Sequence, residues 1–488
     1  MAKSTSTFGV AIVGCGTVGG AAALLLTRDK GLFQDRLGAE LELRHVVDVN
    51  FDNARRMGVE ERLLRKDLSE ALADPKVSAV VELIGGTAIA RKVIEQALAA
   101  GKHVVTANKA LLAVAGPDLY AMARAKGLTI AFEATCAGGI PIIRALYDGL
   151  IANRIDALYG IVNGTCNSIL TAMTQQGQSY AAALADAQRT GLAEADPTLD
   201  VAGTDSAHKL AILAALAFGN RVDFDTIPVE GIDALEACDI AYGGELGYVI
   251  KLLAIAHRQG DPRGEGVPPL RREGILPSHF VSVPESAGET PTARKGQRPS
   301  PPPEEGLCLR VRPAFISKEH PLAWVSGPFN AISVYGHATG HTMYYGRGAG
   351  GMPTASTIVA DLAALATGRA QAAFDTLALW PDRAPQAVQL SIDRIRSRYY
   401  LRMLAADRPG VLAKVAAIFG THGISISSLL QHEAAPGEPE GSFVPVIITT
   451  ARAPEGNVRR ALAEVDALDA IRPRSVCLAI VDEHPEQL

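Results

Sequence analysis

The residues best equipped for chemistry lie between Gly191 and Leu210. Glu194, Asp196-Pro197 and Asp200 come first, and Asp205 and Lys209 follow. From Asp200 to Phe218 apolar Val201, Leu210, Leu213, Ala214 and Ala217 recur at helical spacing near the end of the run, which predicts one helix. On it Asp205 and Lys209 are four apart and share a face. In isolation such a pair is a surface ion pair worth about 0.2–0.5 kcal/mol. Here it follows an ordered acidic preface. Carboxylates beside a lysine are what a site needs to hold an ammonium and exchange a proton with a reacting oxygen.

The elements that must position these residues begin at the N-terminus. Phe8–Val13 reads as a strand, Gly14-Cys15-Gly16-Thr17-Val18-Gly19 as a glycine turn, and Ala21–Leu26 as a helix. In that order the first two glycines allow a tight turn and close approach of a pyrophosphate, and the third allows helix–strand packing. The helix N-terminus adds N–H donors for phosphate. Leu41–Val49 is the second strand and brings Asp48 to where an acid holds the ribose of NAD. The segment from Asp29 to Ala39 lengthens the crossover between them. Arg55 and Arg56 follow and suit a 2′-phosphate, or are solvated charges on a helix. NAD against NADP stays open.

Strands are expected at Ala79–Ile84, His103–Thr106 and Leu128–Glu133, with a helix over Ala88–Ala100. Lys109 then falls just past the carboxyl end of a parallel strand, where doubly wound sheets bind ligands. A lysine at a helix start is disfavoured by the helix dipole, which favours a functional reading. Ala134 to Pro141 is a glycine-rich turn. Arg154–Val162 alternates as a half-buried strand, Asn163-Gly164-Thr165-Cys166-Asn167 turns into a helix from Ser168, and Tyr180–Arg189 is an amphipathic helix delivering Gly191. A strand near Ile227 and a helix over Ile240–Arg258 continue this part. Between 260 and 305 proline, glycine, serine and charge replace periodicity, which predicts a disordered insertion or linker. Strands resume at Leu307–Ile316 and Ala331–Tyr335. Tyr344–Ser356, with glycines at 346, 348, 350 and 351, reads as a second ligand-approach loop, and the helix after it, Thr354–Gly368, is expected to pack on the first domain. The last 90 residues form a separate unit of order βαββαβ, which is ferredoxin-like.

Composition narrows the function classes. Hydrophobic residues make 48% and charged ones 20% of the 488 positions, and the net charge is −5. These values suit a globular chain and give no general basis for binding nucleic acid or a membrane. Six cysteines are scattered without a C-x-x-C pair, so neither a disulfide framework nor a zinc site is expected. The opening residues lack a signal-peptide layout, and no apolar stretch is long enough to span a bilayer. A reduced, cytoplasmic setting is expected.

Gly191, Glu194, Asp196-Pro197, Asp205 and Lys209 resemble the signature of the homoserine dehydrogenase family. The stretches T-A-N-K-x-L at Thr106–Leu111, E-A-T-x-x-G-G-I-P at Glu133–Pro141 and N-G-T-x-N at Asn163–Asn167 are similar to that family as well. In the C-terminal unit, D-R-P-G-V-L at Asp407–Leu412 and H-G-I-S-I at His422–Ile426 resemble an ACT domain. The fold expected is α/β: a Rossmann domain over 1–135 with 340–370 returning to it, and an α+β substrate and dimerisation domain over 136–339. A linker over 371–397 and an ACT regulatory domain over 398–488 complete it. The resemblance implies NAD(P)-dependent interconversion of L-homoserine and L-aspartate 4-semialdehyde, a step toward threonine and methionine. It places Lys209 and Lys109 at the reacting oxygen and gives Glu194 and Asp205 to the substrate. Thr106, Lys109, Gly191 and Gly350 join the glycine turn around the cofactor. It implies a monovalent cation, Na+ or K+, held by the carbonyls of Glu133, Cys136, Gly138 and Ile140. It also implies L-threonine as effector near Pro409 and Gly410, and a homodimer or homotetramer. Two rival expectations are another Rossmann oxidoreductase of a hydroxy acid or semialdehyde, and an amino-acid sensor whose catalytic half has decayed.

Overall fold

A computed structural model describes residues 6–259, 306–377, 380–431 and 442–482. The expected insertion at 260–305 lies outside the described residues. The first sheet holds β1 (Ser6–Val13), β2 (Ala39–Val47), β3 (Leu64–Arg65), β4 (Val77–Glu82), β5 (His103–Thr106) and β6 (Ile130–Ala131). Its order is β3-β2-β1-β4-β5-β6 and every pairing is parallel. Short apolar runs separated by helices give this doubly wound arrangement, because parallel neighbours need a crossover. The long first crossover contains a helix, Lys30–Leu37.

The second sheet is built from β7 (Ile155–Ile161), β8 (Tyr248–Gln259), β9 (Gly306–Ser317), β10 (Phe329–Gly336) and β11 (Gly340–Arg347). To these the C-terminal unit adds β12 (Arg396–Ala406), β13 (Ile426–Gln431), β14 (Phe443–Thr450), the short β15 (Ala453–Pro454) and β16 (Ile471–Val481). The order is β11-β10-β7-β8-β9-β16-β12-β14-β13, with β15 beside β12. With its helices Val411–Thr421 and Glu455–Asp466, the tail has the expected βαββαβ order. It is nevertheless not a detached unit, because β16 pairs in parallel with β9 through Ala479, Ile480 and Val481. Its helix residues Val415, Phe419, Val458 and Val465 share one core with Tyr159, Leu253, Ile255 and Tyr335 of the substrate sheet.

Several expectations fail in detail, each for a local reason. The helix over Ile240–Arg258 is instead a short helix, Ala237–Glu245, then Gly247 at φ 85°, then strand β8. That strand is central and buried on both faces, with Leu252, Ala254 and Ala256 in one core and Leu253 and Ile255 in another. A run apolar on both faces carries no period to separate strand from helix. The strand over Leu128–Glu133 shrinks to Ile130–Ala131 and is followed by a 3₁₀ turn at Glu133–Thr135. Near Ile227 there is a 3₁₀ turn, Phe224–Thr226, and a single bridge from Val229 to Val311 rather than a strand. The start of the glycine loop at Tyr344 belongs to edge strand β11. The Asn163 turn enters its helix at Gly164, not Ser168. The helix Gly351–Ala366 lies on Thr17–Arg28, and a Cβ on Gly351 would come 3.1 Å from the Thr17 carbonyl oxygen.

Candidate active site

The predicted helix over Asp200–Phe218 is two helices. Thr198–Val201 ends at a turn where Gly203 takes φ 85°, and Thr204–Phe218 starts anew. The break moves Asp205 into a first helical turn, where its charge suits the dipole. Lys209 keeps the expected spacing, and its Nζ donates to Asp205 Oδ2 at 2.6 Å and to the Val162 carbonyl at 2.6 Å. Lys109, first residue of helix Lys109–Ala125, reaches the other oxygen, Asp205 Oδ1, at 3.1 Å. One carboxylate therefore bridges two lysines that lie a hundred residues apart in sequence.

Burial tilts this cluster electrostatically. The Lys209 side chain is 11% exposed, Asp205 12% and Lys109 34%, so only Lys109 is substantially open to solvent. Burial alone would raise the Asp205 carboxyl. The charges of Lys209 and Lys109 outweigh it and hold the group well below the usual carboxylate range.

Asn163 completes the arrangement, and sequence alone reads it only as a helix cap. Its Oδ1 does cap, accepting from Cys166 N at 2.8 Å. Its Nδ2 donates to Asp205 Oδ2 at 2.9 Å and to Asp200 Oδ1 at 2.7 Å. His208, also not singled out by its sequence context, stacks on Phe224 with centroids 4.5 Å apart. Burial, and then the Lys109 charge, lower its pKa. Glu194 is exposed and lies outside this bonded cluster; its carbonyl accepts from Gln188 Nε2. Asp196 precedes the next short helix and its Oδ1 accepts from Thr198 N and Oγ1. Gly191 turns out of helix Tyr180–Arg189 at φ 74°.

The glycine turn divides its three positions as the motif demands. Added Cβ atoms on Gly14 and Gly19 would sit 2.7 Å from Leu83 and 2.0 Å from the Gly14 carbonyl, whereas one on Gly16 meets no atom within 4 Å. The first and third glycines are thus closed by the fold, and the second faces open space at the N-terminus of helix Thr17–Arg28, where a pyrophosphate fits. Asp48 reaches this turn: Oδ2 accepts from Cys15 N at 2.5 Å, and Oδ1 accepts from Val49 N and Asn50 N. Asn53, missed in the sequence, holds the same loop by donating to the carbonyls of Cys15 and Gly16. Arg55 pairs with Glu61 at 2.7 Å, while Arg56 is exposed and makes no ion pair among the described residues.

At the strand ends, buried Glu82 accepts from Thr106 Oγ1 at 2.7 Å and Ile84 N at 2.9 Å. Asn108 caps the Lys109 helix by accepting from Leu111 N and donates to the Gly86 carbonyl. A buried acid ending an apolar strand was the available sign of Glu82.

The turn after β6 is fixed by charge. Glu133 accepts from Ile143 N and Arg144 N, its own N–H donates to Asp361, and Arg144 bonds Asp361 at 2.7 Å. Burial and then Asp361 push Glu133 up to about 7; burial pushes Asp361 up to about 6. Ala137 and Gly138 both take positive φ. Of the four carbonyls expected to hold a cation, Gly138 accepts from Thr357 Oγ1 and Ile140 from Ile142 N. Burial pushes the Cys136 thiol up to about 12, so its side chain is a neutral filler beside the Lys209 carbonyl. Gly350, at φ 124°, starts helix Gly351–Ala366. In the tail, Gly410 at φ 90° starts helix Val411–Thr421, and Asp407 beside it accepts from Gln431 Nε2.

Comparison with known proteins agrees with this architecture. Residues 14–133 match the NAD binding domain of homoserine dehydrogenase, residues 141–363 match the homoserine dehydrogenase family model, and residues 399–467 match the ACT domain. Homoserine dehydrogenase of Pseudomonas aeruginosa is 40% identical over 465 residues, covering 95% of this chain and 96% of that protein. That of Bacillus subtilis is 33% identical over 463 residues, with the same coverage. A crystal structure of a homoserine dehydrogenase from Thiobacillus denitrificans superposes with a TM-score of 0.82 at 38% identity, covering 98% of this chain and 99% of that one. With its NAD(P)-binding parallel sheet, mixed second sheet and ACT tail, the chain belongs to the homoserine dehydrogenase family of oxidoreductases.

Proposed function

We propose that Lys209 transfers the proton in a reversible NAD(P)-dependent oxidation of L-homoserine to L-aspartate 4-semialdehyde. The observation that carries this is the state of its ammonium. It has three N–H donors, two of which are committed to Val162 and Asp205, leaving one for a substrate oxygen. The bound nicotinamide supplies the hydride chemistry. In the reductive direction the ammonium gives its third N–H proton to the forming alkoxide and becomes the neutral amine. In the oxidative direction Lys209 starts as that neutral amine, keeps its two N–H bonds to Val162 and Asp205, and its lone pair takes the hydroxyl proton as the C–H hydride leaves. Lys109 polarises the same oxygen and is held in place by Asp205. Asp205 therefore orders the two lysines as well as facing substrate, and exposed Glu194 receives the substrate ammonium at the entrance. Gly14, Gly16, Thr17, Val18 and Gly19 hold the pyrophosphate, with Thr106, Gly191 and Gly350 around the nicotinamide half. Unpaired Arg56 favours NADP, and Asp48, already accepting three backbone N–H groups, favours it further.

The division of roles in this reading is 1–135 with 340–370 for cofactor, 136–339 for substrate, 371–397 as linker and 398–488 for regulation. A monovalent cation at the carbonyls of Glu133, Cys136, Gly138 and Ile140 would brace the turn between the first two and takes no part in the chemistry. L-threonine is the proposed effector, its carboxylate received by the N–H groups after Pro409 and Gly410. The chain works in the cytoplasm as a homodimer or homotetramer; no described helix is long and apolar enough to cross a membrane.

The deciding assay follows nicotinamide absorbance with L-homoserine and either NAD or NADP, with and without L-threonine. Homoserine-dependent reduction suppressed by threonine is expected. A hydroxy acid that outcompetes homoserine refutes the substrate, and threonine-insensitive turnover refutes the effector.

A further inference from the structure

We propose that the chain carries a second small-molecule site, for an aromatic or branched monocarboxylate, behind the two lysine-bearing helices. A cavity of about 640 Å³ lies between helices Lys109–Ala125 and Thr204–Phe218, roofed by residues around Trp380. That volume suits a small organic ligand. Its wall is aromatic: Tyr120 stacks on Phe374 at 5.6 Å, and Phe374 meets Trp380 at 5.0 Å. Flat or branched apolar groups gain both area and ring contacts there.

The charged groups around it set the sign of the ligand. Arg124 is committed to Asp382 at 2.5 Å, and Asp375 accepts from Trp380 Nε1 and Gln371 Nε2. Arg221 and Arg383 also line the cavity, are exposed, and make no side-chain ion pair among the described residues. Two unpaired guanidiniums beside an apolar chamber match a carboxylate carried on an apolar body, since a guanidinium fork binds carboxylate bidentately. A neutral ligand leaves that complementarity unused.

The site lies on the far side of the catalytic helices. Leu112 and Gly116 face it from the helix that begins at Lys109, and Ala211 and Ala215 from the helix that carries Lys209. Filling it changes how those helices pack, so occupancy reads out in kcat as well as in binding. Only the kcat effect rests on the proposed role of the lysines; binding does not.

The test uses the full chain. It has two tryptophans, and Trp324 is 80% exposed, so Trp324→Phe leaves Trp380 as the single reporter inside the cavity. Phenylacetate, 4-methylpentanoate and the neutral phenylacetamide are titrated against Trp380 emission. The acids should give saturable changes, with phenylacetate binding at least about tenfold more tightly than its amide. Arg221→Ala with Arg383→Ala, both at exposed positions, should erase that preference while leaving the fold intact. Ala215→Phe should abolish binding by filling the chamber. Unchanged Trp380 emission with every probe overturns the site, as does binding that survives Ala215→Phe. Equal affinity for acid and amide overturns the carboxylate specificity.

Discussion

Lys209→Met tests the catalytic assignment most directly, because methionine keeps the length of the side chain and removes its donors. Lys209 Nζ holds Val162 and Asp205 at 2.6 Å each and offers its remaining N–H to the reacting oxygen. Loss of a positioned proton-transfer group lowers turnover by about 10²–10⁴, which corresponds to about 2.7–5.4 kcal/mol in the barrier at ~1.36 kcal/mol per tenfold. The structural cost is separable. Asp205 keeps Lys109 at 3.1 Å and Asn163 at 2.9 Å, so the buried carboxylate is not orphaned. Destabilisation should therefore stay near the lower end of the ~3–5 kcal/mol seen when a buried pair loses a partner. The assay measures kcat at saturating homoserine and cofactor. Cofactor affinity comes from nicotinamide fluorescence, and folding from a thermal melt. The expected result is a folded protein that binds cofactor within about twofold of normal yet turns over at least about a hundredfold more slowly. In the smaller Lys209→Ala variant, added methylamine should restore part of the rate. A kcat within about threefold of the unmodified enzyme removes Lys209 from proton transfer.

Three further outcomes follow from other parts of the molecule. Gly16→Ala should leave the melting temperature unchanged and weaken cofactor binding, because its Cβ meets only the space the cofactor would take; Gly19→Ala should disrupt folding, with its Cβ 2.0 Å from the Gly14 carbonyl. A reversal of that contrast, read by melts and cofactor titration, refutes the division of roles. His320 is buried, and burial followed by the nearby His341 holds its pKa at about 4, below the ordinary 6.5. The unfolded chain then binds the extra proton first, so this contribution is complete above pH 6.5 and is lost as pH falls toward 4, by up to about 3 kcal/mol. Urea midpoints for the unmodified chain and His320→Asn should diverge less at pH 5 than at pH 7; parallel profiles refute it. Asp239→Asn strips Arg402 of a bidentate partner at 2.6 and 3.0 Å but leaves it Glu236 at 2.9 Å, so the cost should stay near the lower end of about 3–5 kcal/mol; an unchanged denaturant midpoint refutes it.

Much of the site was legible because its chemistry lies in residue types at fixed spacing. Asp205 and Lys209 share a helix face in sequence and in space, and Lys109 was placed by the end of a parallel strand. What could not be read depends on two faces at once. In the β8 run YVIKLLAIAHRQ the stretch Leu252–Ala256 is apolar on both faces because the substrate sheet has a core on each side, so its pattern holds no period. Asn163 looks like a cap and is one, but its second bond set, to Asp200 and Asp205, exists only once chain 37 and 42 residues further on is folded beside it. Gly203 mattered for the same reason. A single glycine in a helical pattern is tolerable, but here a Cβ would lie 3.0 Å from Val229 and 3.3 Å from Val311, and the chain turns there at φ 85°.

That glycine also explains why the C-terminal unit cannot simply be cut away to test regulation. Val311, against which Gly203 packs, lies on β9 beside Arg310 and Arg312, both buried. Arg312 bonds Glu455 of the ACT unit at 2.8 Å and Glu230 at 2.9 Å, and Arg459 of the same unit closes the loop to Glu230 at 2.9 Å. Glu230 N in turn donates to the Val311 carbonyl. A contiguous set of contacts thus runs from the ACT helix Glu455–Asp466, through β9, to the turn that starts the helix bearing Asp205 and Lys209. Truncation after residue 395 would remove Glu455, leaving Arg310 without its carboxylate and Arg312 with Glu230 alone, and would expose the edge of β9 where β16 pairs. Unpaired buried charge is costly and an open strand edge invites association, so lost activity in such a fragment would report collapse of the junction rather than loss of an effector. Effector binding is therefore properly tested in the whole chain, where the ACT turn at Gly410 can be altered while the ion pairs that hold the catalytic helix stay intact.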